Sequence, residues 1–121
     1  MKYLCLVYMQ PDNLHAVPDR ECVAFGDGLR QAGTLLAAEA LQPIETATTV
    51  RVRNGKVSVI DGPFAETKEQ LAGFYLIEAR DLNEAIQVAA KIPPARAGSV
   101  EVRPVRELAP QRHPVNNRVH D

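Results

Sequence analysis

Apolar residues recur along this chain with two different periods. In Lys2–Tyr8, Tyr3, Cys5 and Val7 point one way and Leu4, Leu6 and Tyr8 the other, so both faces are apolar. Leu71–Ala79 repeats that pattern, with Gly73 marking a bulge or a close backbone approach. Strands apolar on both faces belong in the middle of a sheet, covered on both sides. A helical period appears in Asp19–Ala32, where Cys22, Phe25, Gly26 and Leu29 share one stripe between Pro18 and Gly33. It returns in Asp81–Ile92, where Leu82, Ala85, Ile86, Ala89 and Ala90 form the apolar face. Asp81 and Glu84 are spaced there as a capping box, and Pro93-Pro94 supplies the stop. Thr34–Leu41 reads as a strand because Gly33 and Pro43 leave no room for a helix. Ser99–Leu108 alternates Val100 and Val102 against Glu101 and Arg103, which predicts a last strand.

The segment "TTVRVRNGKVSVID" carries the sharpest local signal. Asn54-Gly55 is the preferred pair for a two-residue type I′ hairpin. That turn sets Val52 opposite Val57 and Val50 opposite Val59, with all four valines on one face and Arg51 opposite Ser58 on the other.

With the hairpin set aside, the order is βαββαβ, an α+β ferredoxin-like arrangement with an inserted β-hairpin. Its first and third main strands are the central ones, and these are the two strands apolar on both faces. Both helices of this fold cover one side of the sheet. The other side is left with about six apolar side chains, a patch that marks an interface or a ligand site. The expectation is a homodimer through the sheet face, with a cavity for a small-molecule ligand between or beside the sheets.

Totals narrow the classes. The chain has 121 residues, enough for one domain with a modest core, and residues 109–121 read as a polar tail behind a domain of 1–108. A net charge of −1 gives no global field toward nucleic acid or anionic lipid. Arg51, Arg53 and Lys56 form a basic stripe on the hairpin, but no aromatics interleave it, so no nucleic-acid partner is expected. The apolar start of the chain is too short for a membrane span and has no small-residue cleavage site. Cys5 and Cys22 are scattered thiols, which fits a reducing cytoplasm.

Candidate chemistry gathers in "DGPFAETKEQ", where Asp61, Glu66 and Glu69 lie close in sequence with Lys68 between them. Neighbouring carboxylates raise one another's pKa, which suits a general acid or base, and Lys68 would hold an anionic substrate. The same residues also read as a strand terminator followed by a solvated turn. His15 sits in the loop after the first strand, where its ring would face a cavity or the solvent. Phe64, Tyr8 and Glu39 are the candidate substrate contacts, Glu39 because it interrupts the otherwise apolar "LLAAEAL". No set of metal ligands, dinucleotide fingerprint or phosphate-cradling loop is present, so neither metal nor cofactor is expected.

"DGPFAETKEQLAGFYLIEA", preceded by "MKYLCLVY" and followed by "GSVEVRPVRE", resembles the DGPF-type branch of the YCII-related family over about Met1–Leu108. The resemblance implies a ferredoxin-like dimeric α/β barrel. It also implies a setting near sigma-factor regulation, and it leaves two functions open: a small metal-independent enzyme, or a ligand-binding accessory module. Better-understood YCII-like proteins are thought to use a His at the start of the first helix and an Asp near its end. Here those places read "VPDREC" and "LRQAG" and hold no such pair. Proton transfer, elimination or isomerisation on a polar metabolite is the enzyme reading, with Asp61, Glu66, Lys68 and His15 as catalytic candidates.

Overall fold

A computed structural model describes residues 1–109; the expected polar tail lies, but for its first residue, outside the described residues. The elements are β1 (Lys2–Met9), α1 (Asp19–Gln31), β2 (Leu35–Ala40), β3 (Thr48–Arg53), β4 (Lys56–Asp61), β5 (Gln70–Glu78), α2 (Leu82–Ala89) and β6 (Ser99–Pro104). Four strands form an antiparallel sheet in the order β2-β5-β1-β6, and β3-β4 is a separate two-stranded sheet. This is the ferredoxin-like arrangement, with β1 and β5 in the centre as their two apolar faces require.

Tyr3, Cys5, Val7 and Met9 of β1 join Tyr75 and Ile77 of β5 in the core, and Leu35, Ala85, Ala89 and Ile92 complete it. Phe25 and Leu29 of α1 pack against the same cluster, so both helices lie on this side. The other side carries three cross-strand pairs, Leu4 with Leu76, Leu6 with Phe74 and Tyr8 with Leu71. All but the exposed Leu71 are half-buried, and neither helix covers them.

Two expectations need correction at helix α2. It ends at Ala89, because Lys91 and Ile92 donate to carbonyls three residues back, a 3-10 tightening just ahead of Pro93. Its buried face is Ala85, Ala89 and the half-buried Val88, while Leu82, Ile86 and Ala90 face solvent. Small alanines let the helix lie close to the sheet, and Ile92 fills the space beyond its end. The Asp81 carboxylate accepts from the Glu84 N–H at 2.9 Å, whereas the Glu84 carboxylate reaches past Asp81 to the N–H of Arg80 at 2.6 Å. Strand β6 also stops early, at Pro104, with one last bond to β1 from the Val105 N–H to the Lys2 carbonyl at 2.9 Å.

The hairpin register is as expected: Val50 pairs with Val59, Arg51 with Ser58 and Val52 with Val57. Asn54 and Gly55 have φ of 53° and 76°, the two positive values that a type I′ turn demands. The valines, however, meet nothing in this chain: Val50, Val52, Val57 and Val59 are 60%, 57%, 68% and 63% exposed. The hairpin stands off as an arm. The Thr49 hydroxyl at its base donates to the Gly62 carbonyl at 2.8 Å, and the Gly62 N–H donates to the Ala47 carbonyl at 2.8 Å.

The loop between β4 and β5 is closed by its own last residue. Gln70, buried at the start of β5, donates from its side-chain amide to the carbonyls of Ala65 at 2.9 Å and Thr67 at 3.0 Å. Gln70→Leu keeps the volume and strips both donors, leaving two loop carbonyls without their protein partner. The expected loss is about 1–3 kcal/mol in chemical denaturation, with faster proteolytic cleavage inside residues 61–69. Unchanged stability together with unchanged cleavage would show that the amide does not hold the loop.

Candidate functional site

Helix α1 serves two faces at once. Phe25 and Leu29 go to the core, while Asp19, Cys22, Val23, Gly26, Asp27 and Arg30 follow one another at helical spacing along an adjacent stripe and line a cavity. The cavity has a volume of about 690 Å³, within the usual range for a small-molecule site. Its opposite wall comes from β2 and the start of β5. His15 and Leu14 close one side from the loop ahead of α1, and Pro94 contributes another edge. A smaller cavity of about 240 Å³ adjoins it, and His15 is among the residues that line both.

An ion pair fixes part of this rim. Arg96, in the turn after α2, meets both carboxylate oxygens of Glu21 at 2.7 Å and ties the first turn of α1 to the Pro94 segment. That bidentate bond holds the Glu21 carboxyl below its ordinary pKa and the Arg96 guanidinium above its own. Within the cavity the acid and base groups differ in readiness. Burial raises the Cys22 thiol, with help from Asp19 and Glu21, so it is a thiol and not a thiolate at neutral pH. Burial pushes the Tyr75 phenol up to about 12, and the Tyr75 ring meets Phe25 edge to face at 5.7 Å. Arg30 pairs with Asp27 at 3.3 Å on the surface of the helix.

Of the residues picked out from the sequence, His15 and Glu39 line the cavity. Tyr8 lies on the open side of the sheet, where its hydroxyl donates to Glu101 at 3.2 Å; its pKa is raised, first by desolvation and then by that carboxylate. Asp61, Phe64, Glu66 and Lys68 line neither cavity in the single chain and are exposed. Phe64 is 77% exposed, with the Arg51 guanidinium 5.8 Å from its ring centroid. The Glu69 carboxylate accepts from the Ser99 hydroxyl at 2.7 Å, which anchors the far end of the loop to β6. The structure therefore does not gather the loop carboxylates around a pocket; Gln70 folds the loop onto itself.

Asp19, Asp27 and Arg30 reach the cavity without having been singled out as a site. The expected His and Asp places of the first helix are indeed vacant of that pair. An imidazole nevertheless arrives from the preceding loop, and carboxylates arrive from the first residue of α1 and from its third turn. The available signal was that Asp19 and Asp27 share a helix face with Gly26. Among the described residues, no three His, Cys, Asp or Glu side chains stand together as metal ligands, and no helix is long and apolar enough to cross a membrane.

The YCII-related domain matches residues 1–109 of this chain. The chain belongs to the YCII-related family. It is 45% identical over 86 residues to an uncharacterised protein of Rhizobium meliloti (strain 1021), a match covering 69% of each chain. A solved structure of 5-chloro-2-hydroxyhydroquinone dehydrochlorinase (TftG) from Burkholderia phenoliruptrix AC1100, in complex with 2,5-dihydroxybenzoquinone, has a similar fold. Its TM-score is 0.54 at 15% sequence identity, covering 88% of this chain and 94% of that one. At that identity the likeness speaks for the fold alone. This YCII-related chain keeps the family fold and carries the hairpin as an exposed arm.

Proposed function

We propose that this YCII-related protein is a small cytoplasmic enzyme, acting as a homodimer, that moves a proton in an elimination or isomerisation of a ring-sized metabolite. The observation that carries the reading is the convergence of His15, Asp19 and Asp27 on one apolar-walled cavity of ligand size. His15 is the general base: imidazole is the side chain whose ordinary pKa lies nearest neutral pH. It takes a proton from a carbon next to a carbonyl, and the electron pair left behind either expels a leaving group or is protonated at another carbon by the imidazolium. The carboxylates of Asp19 and Asp27 stabilise the imidazolium that forms. The dehydrochlorinase with a related fold supports this choice of reaction class by analogy.

Dimerisation through the open side of the sheet follows from the three apolar cross-strand pairs left uncovered there. In the single chain, Asp61, Phe64, Glu66 and Lys68 stand outside the cavity. A catalytic or substrate-binding part for them, or for Tyr8, requires the second chain of the dimer to bring a cavity to them. Glu39, on the cavity wall, contacts substrate directly in this reading.

A non-catalytic ligand-binding role is the second reading, favoured by the protonated states of Cys22 and Tyr75, which leave His15 without an activated nucleophile beside it. One experiment separates the two. Hydroquinone, catechol and 4-hydroxyacetophenone are screened for a thermal shift against the wild type, and solvent-deuterium exchange into the methyl group next to the carbonyl of bound 4-hydroxyacetophenone is followed by NMR. Binding with exchange that His15→Gln lowers at least about a hundredfold supports the enzyme. Binding without exchange supports the second reading. No thermal shift with any ring compound overturns both.

A further inference from the structure

Tyr75 is a polar residue in a place where phenylalanine would pack as well. It is 8% exposed, lies in central strand β5 and lines the large cavity. Its hydroxyl makes no hydrogen bond among the described residues, although the cavity-lining Cys22 is near enough to influence its titration. A buried hydroxyl without a partner costs stability that a Phe would not, so the hydroxyl is there for something that enters the cavity. As a neutral phenol it donates, and the matching ligand atom is an acceptor oxygen.

The charged groups around the space are unbalanced. Asp19, Asp27 and Glu39 line it against the single guanidinium of Arg30, which is already engaged by Asp27. The adjoining cavity adds Glu45 and no Lys or Arg. The walls between are apolar, from Val7, Met9 and Leu35 among others. A ligand with a carboxylate or phosphate would meet like charge in a partly desolvated space, whereas a hydroxyl or an ammonium would meet hydrogen-bond acceptors.

We infer that the cavity selects a neutral or cationic ring compound that places a carbonyl oxygen on the Tyr75 hydroxyl and a hydroxyl or amino group toward Asp19 and Glu39, and that it rejects anions. This rests on the cavity being the ligand site.

Calorimetric titration of the whole protein with three matched ketones tests it: 4-acetylbenzyl alcohol, 4-acetylbenzylamine and 4-acetylbenzoate. The first two are expected to bind at least about tenfold more tightly than the carboxylate, and Asp19→Asn is expected to narrow the gap. Tyr75→Phe is expected to keep or raise the melting temperature while weakening the two favoured ketones about tenfold. It should leave 4-ethylbenzyl alcohol, which lacks the carbonyl, unaffected. Equal or tighter binding of 4-acetylbenzoate would overturn the charge selection and leave the cavity reading standing. Lower stability of Tyr75→Phe with unchanged ketone affinity would overturn the role of the hydroxyl. Failure of all the ring compounds to bind would overturn both this inference and the reading beneath it.

Discussion

Gly98→Ala is expected to destabilise the protein by about 3 kcal/mol or more, although it adds one methyl group. A Cβ at Gly98 would stand 2.1 Å from the Tyr8 carbonyl oxygen and 2.7 Å from the Met9 sulfur. The sulfur can swing away; the carbonyl cannot, because Tyr8 is held in the central strand opposite Ser99. Relief therefore means parting β6 from β1 at the point where the chain enters β6. A domain of this kind has about 5–15 kcal/mol in hand, so the melting temperature should fall by roughly 10 °C or more. The same substitution at Gly28 should have the opposite sign. There a Cβ meets nothing within 4 Å, the position is inside α1, and the gain is about 0.5–1 kcal/mol. Thermal melts of the two variants beside the wild type check both signs. Equal effects would mean that the contact at Gly98 is absorbed elsewhere.

The second large effect concerns assembly. Leu6 lies in the middle of the open side of the sheet, paired with Phe74 on β5 and opposite Glu101 on β6. It is only half-buried within one chain, so Leu6→Asp should cost the isolated fold little. In the proposed face-to-face dimer the substitution counts twice, because a two-fold interface uses the same patch on both chains. Each lost leucine removes at least about 1.5 kcal/mol of burial, so the dimer weakens by about 3 kcal/mol or more, on the order of a hundredfold in Kd. Sedimentation velocity at micromolar concentration should show a dimer for the wild type and a monomer for the variant, with unchanged circular dichroism. A wild type that sediments as a monomer would end the dimer proposal.

The sequence carried the framework well where the signal was local or doubled. The hairpin register followed from Asn54-Gly55 and the alternation around it, two signals that agree. The central places of β1 and β5 followed from their two apolar faces. Gly73 also behaves as read: a Cβ there would sit 2.7 Å from the Glu39 carbonyl oxygen, next to the bulge between Val7 and Tyr8. Helix α2 was harder, because Ala and Leu weigh alike in a periodicity count but not in packing. The close approach belongs to Ala85 and Ala89, and that choice between neighbouring rows is made by the sheet beneath. The site was harder still. Asp19 and Asp27 only become neighbours of Glu39 and Tyr75 once α1 is laid across β2 and β5, a fact of tertiary geometry with no local mark. His15 and the loop at Asp61–Glu69 were both visible as candidates; His15 lines the cavity, and the loop lines neither cavity of the single chain, its Ala65 and Thr67 carbonyls held by Gln70.

Helix α1 divides its labour between two adjacent faces, and that division bears on how such a protein can diverge. Phe25 and Leu29 anchor the helix to the core, while Asp19, Val23, Asp27 and Arg30 line the cavity and Arg30 pairs with Asp27. Substitutions at those four positions can change what the cavity accepts with little effect on the fold. The stretch by which the chain is recognised, from Asp61 to Ala79, lies largely in a loop and a sheet strand and would be untouched by such changes. Stretch and cavity overlap only in β5, where Tyr75 of the recognisable stretch lines the cavity, so proteins sharing that stretch keep this wall while the α1 wall is free to change.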